Sequence, residues 1–463
     1  MTDAPCRIGA GSGFWGDMID PAVELANEGR IDYLCFDLLA ELTMSILQRR
    51  KIRNPGAGYI TDLAPMIRQV LPAATRNGVK IITNGGGANP PAGAHAIAEV
   101  ALELGHPELR IGVIEGDDLT DRIQGIRRDG WRFANLETGE QDIDRIADRV
   151  VAAHAYTGSD GIIAALGDAA DVVLGGRLAD SALYCGPLMH HFGWTFTAHD
   201  WERIGAALTI GHVLECAGLC SGGMSSQWRH AKDVWRLGFP LAEVAADGTA
   251  TIEKVKGSGG LINRWTVKEH LLYEVHDPHS YLLPDAIVDL GGVRVTEVGP
   301  DQVRLIGMTG RERPDTLKVQ IGYQDGFIAE SRALISWPDA LEKADWCEEL
   351  VRRRLEYIGV TPLEQRYDRV GVNALAGSAA PDPGYEPNEV DFRMVVKTRT
   401  KAEAEVARRA LLLPATAGPV GTAFGAPSPV REVIALWPTL VPRSLIDEAV
   451  TVSSARELQH ART

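Results

Sequence analysis

The chain has 463 residues, 45% hydrophobic and 24% charged, a composition typical of a globular protein long enough for two or three domains. Its formal charge of −15, from 62 acidic and 47 basic residues, argues against nucleic acid or an anionic membrane as a partner. The sequence contains neither a long apolar stretch nor an N-terminal signal pattern, and its six cysteines lack C-x-x-C spacing, which together predict a cytoplasmic protein with reduced thiols.

Strands and helices alternate along the first part of the chain, over residues 6–176. Short β-branched runs between helical segments predict a βαβ series, and therefore a mostly parallel sheet flanked by helices. A hairpin or an excursion is expected at residues 130–140. The predicted order is a strand from residue 7, a helix at 20–28, a strand at 33–37, helices at 44–50 and 65–76, a strand at 79–83, a helix at 91–104, a strand at 110–114, a helix at 142–157 and a strand at 171–175.

The second part of the chain predicts a different architecture. Helices are expected after residue 180 and over 201–219, and Asp247-Gly248 is a strong hairpin signal. We therefore expect an α/β domain at 1–240, followed by an α+β domain with a largely antiparallel sheet at 241–463. The later predicted elements are strands at 286–298, 302–309, 316–323, 326–336, 367–374 and 390–399 and helices at 265–275, 338–358 and 401–412.

Four of the predicted strands end in a glycine-rich turn that carries polar side chains. These turns lie near residues 12, 85, 117 and 177. Because the carboxyl ends of parallel strands meet at one edge of a sheet, we expect the four turns to surround a single crevice. That crevice is the predicted functional site.

The first turn, Gly11-Ser12-Gly13, begins a G-x-G-x-x-G pattern that ends at Gly16. This pattern is typical of a dinucleotide-binding loop, and Asp37 at the end of the second strand would be the acid that contacts the ribose. Bulky residues follow Gly13 and would crowd a pyrophosphate. A general ligand-binding loop and a purely structural turn are the alternative interpretations.

The second turn contains three consecutive glycines between Asn84 and Asn89. Glycines leave backbone amides free to face an anion, at a cost in ordering entropy. We therefore expect Asn84, Gly85, Gly86 and Asn89 to bind a carboxylate, a phosphate or a carbonyl oxygen.

The third turn places Glu115, Asp117 and Asp118 directly after a predicted strand. Such a group of acids can hold Mg²⁺ or supply a general base with a raised pKa. The structural alternative is that Asp117 or Asp118 caps the next helix.

The fourth turn supplies Arg177, Asp180 and Ser181. Arginine is suited to bidentate capture of a carboxylate or a phosphate, and Asp180 is a further candidate for proton transfer. A structural Arg177–Asp180 pair is the alternative interpretation.

A helical stretch further along the chain carries additional candidates. Glu215 with Cys220 could perform acid–base or nucleophilic chemistry, and Cys216 with Cys220 could ligate a metal if other residues contributed. Packing of small core residues is the alternative. The stretch ends in Gly222 and Gly223, which we count with Glu215 among the substrate-binding candidates.

Five blocks, in order along the chain, resemble the acyclic terpene utilisation family of AtuA type. The likeness extends from about residue 7 to residue 440. The blocks are Gly11 to Asp17, Asn84 to Pro90, Gly175-Gly176-Arg177 with Asp180, Glu215 to Gly223, and Thr266 to Pro278.

The resemblance implies a role in the catabolism of citronellol- and geraniol-like terpenoids, in which branched acids are handled as coenzyme A thioesters. It assigns no catalytic residues. Many relatives continue into a small C-terminal domain with an Arg-Ser-Gly-Asp-Lys-Gly-like motif, whereas this chain ends soon after Pro442. We therefore expect either a separate small subunit or a different substrate range.

The leading hypothesis is a lyase or hydratase that acts on a branched carboxylate or its thioester through an enolate-like intermediate. Asn84, Gly85 and Gly86 would stabilise the oxygen, and Arg177 would bind the carboxylate or phosphate. One of the acids at 115–118 would move the proton, with Mg²⁺ as a possible cofactor. A non-catalytic ligand-binding or scaffold subunit and an NAD-dependent oxidoreductase are the alternatives, and a homo-oligomer is expected.

Overall fold

The structure is a computed structural model that describes residues 4–382 and 384–460. Contacts divide the chain into two compact units. Unit 1 comprises the described residues of 1–322 and 436–463, and unit 2 comprises those of 323–435. The expected domain boundary at residue 240 lies inside unit 1, because strands that follow residue 240 extend the sheet formed by the earlier ones.

The strands are numbered in chain order. They are β1 Cys6–Ser12, β2 Tyr33–Phe36, β3 Lys80–Thr83, β4 Arg110–Glu115, β5 Val150–Ala155, β6 Val172–Gly175, β7 Pro240–Val244, β8 Ala250–Lys254, β9 Tyr281–Leu282, β10 Ile287–Asp289, β11 Arg294–Gly299, β12 Gln302–Ile306, β13 Thr309–Arg311, β14 Thr316–Ser336, β15 Glu364–Val370, β16 Glu389–Thr398, β17 Thr422–Phe424, β18 Arg431–Pro442 and β19 Ala449–Ser454.

The helices are numbered in the same way. They are α1 Asp20–Glu28, α2 Glu41–Arg53, α3 Leu63–Asn77, α4 Pro90–Glu103, α5 Ile123–Arg128, α6 Asp160–Gly167, α7 Ala182–Phe192, α8 Trp201–Leu214, α9 Arg264–Leu271, α10 Ala340–Tyr357, α11 Lys401–Ala410, α12 Pro414–Ala417 and α13 Ala455–His460.

Unit 1 is built on a large sheet with strand order β11-β12-β8-β7-β1-β2-β3-β6-β4-β19. The five neighbours β1, β2, β3, β6 and β4 are parallel, and antiparallel strands extend the sheet at both ends. Every residue of β2 and β6 is buried, as expected where helices cover both faces of a parallel sheet. The carboxyl ends of the parallel strands therefore lie along one edge.

Unit 2 contains an antiparallel sheet with strand order β15-β16-β14-β17. Along β16, buried residues alternate with partly exposed ones, and α10 and α11 pack on this strand. Phe392 and Met394 lie on the buried side, in a hydrophobic core separate from that of unit 1. The predicted fold class, a mostly parallel α/β sheet with a largely antiparallel α+β part, is confirmed.

Several predicted elements differ from the structure. The helix predicted at 142–157 is wrong: short 3₁₀ turns precede β5, which pairs with β14. The break predicted between the strands at 316–323 and 326–336 is absent, since β14 continues through Gly326, which has a φ of 93°. Strands β18 and β19 are not predicted by the sequence pattern, and β19 pairs antiparallel with β4. Within the described residues, no helix combines the length and apolar character needed to cross a membrane.

Candidate active site

Side chains from neighbouring strand ends contact one another at the carboxyl edge of the large sheet. Ser12, the last residue of β1, donates its hydroxyl to the carbonyl of Asp37 at 2.9 Å. Asn84 after β3 donates its amide to Asp37 Oδ1 at 2.7 Å, and its own Oδ1 accepts from the amide of Leu38 at 2.8 Å. These contacts fix the loop that follows β2, so Asp37 has a defined position at the centre of the edge.

Three carboxylates meet beside these loops, and we call Asp37, Asp180 and Glu215 the carboxylate cluster. One oxygen from each lies within 4.8 Å of an oxygen of each of the others. Asp37 and Glu215 are only 5% exposed. Burial, and next the charge of Asp180, raises the pKa of Asp37 and the pKa of Glu215.

Arg177 provides the positive charge next to this cluster. Its guanidinium is buried and donates through Nη1 to Asp180 Oδ1 and to the carbonyl of Leu178, each at 2.7 Å. The guanidinium carbon also lies 3.9 Å from the centroid of the Tyr156 ring, and the Lys318 ammonium lies 4.8 Å from that centroid. Arg177 is thus held by protein groups, and it positions Asp180.

The three acids of the third turn point to different places. Asp117 is buried, with Oδ2 at 2.9 Å from His154 Nδ1, and Oδ2 accepts the amide of Arg177 at 3.0 Å. Burial opposes the charged form of His154, but the Asp117 carboxylate outweighs it and the pKa of His154 is raised. Asp118 accepts the amide of Thr120, and Glu115 is exposed at the end of β4.

The amides of the glycine turn mostly bind within the protein. Gly85 donates to Thr83 Oγ1 at 3.0 Å, Gly87 donates to the carbonyl of Asn84 at 3.1 Å, and Asn89 donates to the carbonyl of Gly86 at 2.9 Å. The side chain of Asn89 donates to the carbonyls of residues 55 and 57. The turn is therefore packed and internally bonded.

Other candidate glycines serve close packing. A Cβ on Gly11 would lie 2.5 Å from the ring of Phe36, and a Cβ on Gly13 would lie 2.7 Å from the backbone of Cys216. Gly13 thus brings the first turn against the segment that carries Glu215. Gly222 and Gly223 lie in a turn against Leu261 and Gly218, and neither lines the cavity described next.

A cavity of about 600 Å³ opens beside the carboxylate cluster, entirely within unit 1. Asp180, Ser181 and Glu215 line it, whereas the acids at 115–118 do not. Its walls are mostly apolar, as is usual for a small-molecule site. The remaining lining residues are Glu41, Leu136, Tyr156, Ala179, Glu274, Tyr281, Leu282, Leu283, Pro284, Pro314, Thr316, Leu317, Lys318 and Leu440.

Two histidines and a cysteine also lie close to Glu215. His212 Nδ1 lies 3.2 Å from Glu215 Oε1, and the rings of His212 and His270 stack at 5.7 Å. Glu215, Cys216 and His270 each offer a ligand atom within 4.8 Å of those of the other two. Burial, with the neighbouring His212, lowers the pKa of His270 to about 3.

Sequence reasoning missed several of these residues. The sequence pattern assigns Asp37 only the role of a ribose ligand, and Tyr156 lies at the end of the helix wrongly predicted at 142–157. His270 lies inside one of the five family-like blocks, which was the available signal. Tyr281 lies after that block, and no sequence pattern indicates a role for it. All four are brought to the site by strands or helices that are distant in sequence.

The fold and the site define an α/β protein with a cavity at the carboxyl edge of its parallel strands. A family model described as "Acyclic terpene utilisation family protein AtuA" matches residues 6–452. The chain therefore belongs to the acyclic terpene utilisation family, as its sequence blocks predicted, and this membership supports a role in terpene catabolism. No curated protein matches the sequence significantly.

Proposed function

We propose that the protein is a lyase or hydratase that acts on a branched, terpenoid-like acyl thioester through an enolate-like intermediate. The single observation that carries this proposal is the position of Asp180. Its carboxylate lines an apolar-walled cavity and is oriented there by the buried guanidinium of Arg177. A carboxylate held in a fixed orientation inside a cavity is suited to general acid–base catalysis.

Tyr156 supports this chemistry as the group that holds the substrate oxygen. It lines the cavity, and its buried hydroxyl lies beside the Arg177 side chain. Burial raises the pKa of Tyr156 to about 12, so the hydroxyl keeps its proton at neutral pH. A hydrogen-bond donor fixed near Arg177 and Lys318 can stabilise an oxygen that gains negative charge during the reaction. In this scheme Tyr156 takes the role expected of the Gly85 and Gly86 amides.

The charges lining the cavity favour a thioester over a free carboxylate. Four acids, Glu41, Asp180, Glu215 and Glu274, line the cavity with a single lysine, Lys318. A free carboxylate beside Asp180 would meet like charges, whereas a thioester carbonyl is neutral. The leucine and proline walls accommodate a branched hydrocarbon chain.

The proposed reaction is a reversible elimination of water. Asp180 removes a proton from the carbon next to the thioester carbonyl, and the electron pair moves onto the carbonyl oxygen, which Tyr156 holds. The intermediate then expels hydroxide from the next carbon as the double bond forms. The hydroxide takes the proton from the Asp180 carboxyl and leaves as water, so Asp180 returns to its starting state.

Turnover of branched 3-hydroxyacyl and 2-enoyl thioesters, followed by the absorbance of the conjugated thioester, tests the proposal. We expect Asp180→Asn to lower kcat by about 10²–10⁴-fold and Tyr156→Phe to lower it by about 10²-fold, because they remove the proton carrier and the oxygen donor. Glu115→Gln is the matched control, since Glu115 is exposed outside the cavity.

Full activity of Asp180→Asn would contradict the proposal, as would equal losses in the control. Binding of the thioesters, seen by calorimetry, without turnover by the wild-type protein would instead favour the ligand-binding subunit. If the wild-type protein quenches NADH fluorescence and Asp37→Asn does not, the result would favour the oxidoreductase.

A further inference from the structure

Glu215, Cys216 and His270 form a group with the composition of a metal site. Glu215 and Cys216 directly follow α8, and His270 lies on α9, which packs against α8. A carboxylate oxygen, a sulfur and an imidazole nitrogen from these residues lie within 4.8 Å of one another. Oxygen, nitrogen and sulfur ligands in one small group are typical of zinc and related transition metals.

A second observation points to a ligand at the same place. His270 is 3% exposed, and its Nε2 has no hydrogen-bond partner among the described residues. A buried imidazole nitrogen without a partner is costly, and a bound ion is one way in which that cost is removed.

The surroundings hold these three residues in place. His212 lies 3.2 Å from Glu215 Oε1 and stacks on His270, which is the position of a group that orients metal ligands. The backbone of Cys216 is packed closely against Gly13. A Cβ added to Gly13 would lie only 2.7 Å from the carbonyl carbon of Cys216. The segment carrying Glu215 and Cys216 therefore has little freedom to move.

The neighbouring carboxylate cluster is a poorer place for a cation. Asp180 is bound by the Arg177 guanidinium, so an ion beside it would meet a fixed positive charge. Asp37 is already engaged by Asn84. Glu215 is the member of the carboxylate cluster that also lies close to the sulfur of Cys216 and an imidazole nitrogen of His270.

We propose that Glu215, Cys216 and His270 bind one transition-metal ion, with Zn²⁺ as the expected occupant. Cys216 gives up its thiol proton to solvent on binding and becomes a thiolate ligand. Because Glu215 also lines the cavity, an ion bound by these residues would lie next to the space where substrate would bind. The use of this position in catalysis rests on the proposed function, but binding of the ion does not.

The test uses full-length protein without a histidine tag. Its metal content is measured by mass spectrometry, and after chelation and dialysis Co²⁺ is added as the spectroscopic probe. We expect about one zinc per chain as isolated and a thiolate-to-cobalt charge-transfer band after addition. Cys216→Ala and Cys216→Ser should lose the band, and His270→Ala should lose tight binding.

Cys220→Ala is the matched control, because Cys220 is buried close by in sequence and lies outside the group. It should keep both the metal and the band. His212→Ala should retain the band but bind Co²⁺ about 10–100-fold more weakly, as expected for a residue that orients a ligand. Circular dichroism of each variant establishes that it is folded.

Absence of metal and of a cobalt band in the wild-type protein would overturn the proposal, as would an unchanged band in a folded Cys216 variant. Asp180→Asn separates this inference from the proposed function. It should keep the metal while losing turnover. If the wild-type protein is metal-free but active, and Asp180→Asn is inactive, the proposed function stands and the metal site is disproved.

Discussion

Polar residues at the ends of parallel strands can either bind a ligand or hold another protein side chain in position, and the sequence pattern is the same in both cases. Asn84 and Arg177 were predicted as ligand-binding groups, but both are buried and bind other protein groups. Asn84 donates to Asp37 and Arg177 donates to Asp180, so each positions a carboxylate. Asp180 was predicted as an acid near the crevice and does line the cavity. Residue type and position at a strand end were readable from the sequence. The direction of each side chain was not, because it depends on packing against loops distant in sequence.

Gly86 illustrates packing at this scale. A Cβ on Gly86 would lie 2.6 Å from the carbonyl oxygen of Gly175 and 2.9 Å from Cα of Pro90, and both obstacles are backbone atoms. We expect Gly86→Ala to destabilise unit 1 by about 1–3 kcal/mol. Gly125→Ala in α5 is the control, since its Cβ would meet nothing within 4 Å. Thermal unfolding should show a lower midpoint only for Gly86→Ala, and equal midpoints would contradict the close approach.

At the scale of elements, local patterns predicted most of the central helices and strands. The alternation before residue 130 is confirmed, because α3 and α4 have helical hydrophobic spacing and the central strands are short apolar runs. The helix predicted at 142–157 became β5 because pairing with β14 overrides local helix preference. That error also concealed Tyr156, which directly follows β5.

Helix α9 provides a test at this scale, because it carries His270. Asn263 caps α9, and its Oδ1 accepts from the amides of Trp265 at 2.8 Å and Thr266 at 3.0 Å. We expect Asn263→Ala to destabilise α9 by about 1 kcal/mol, seen as faster hydrogen exchange of the α9 amides. Asn263→Asp keeps the acceptor and should exchange like the wild type. Unchanged exchange in Asn263→Ala would show that the cap contributes little.

At the scale of the whole molecule, the division into units was not readable from the sequence. The change in pattern near residue 240 is real, since antiparallel strands begin there. Those strands nevertheless join the parallel sheet, and β19 from the other end of the sequence closes its opposite edge. Long-range pairing therefore decided which segments share a core.

Separate cores predict separate stabilities. Phe392 is fully buried in the core of unit 2, and Phe36 is fully buried in the core of unit 1. We expect Phe392→Ala to cost about 3–5 kcal/mol and to increase hydrogen exchange within residues 323–435 only. Phe36→Ala should show the reverse pattern. Faster exchange throughout the chain in both variants would mean that the two units unfold together.

The sequence by itself determined the parallel α/β architecture, the family and the turns that meet at one sheet edge. These follow from short-range periodicity and from the rule that parallel strands place their carboxyl ends together. Only the tertiary structure decided which acids line the cavity, and that Tyr156 and His270 belong beside Asp180 and Glu215. The physical reason is that burial, charge and side-chain direction are set by neighbours far away in the chain.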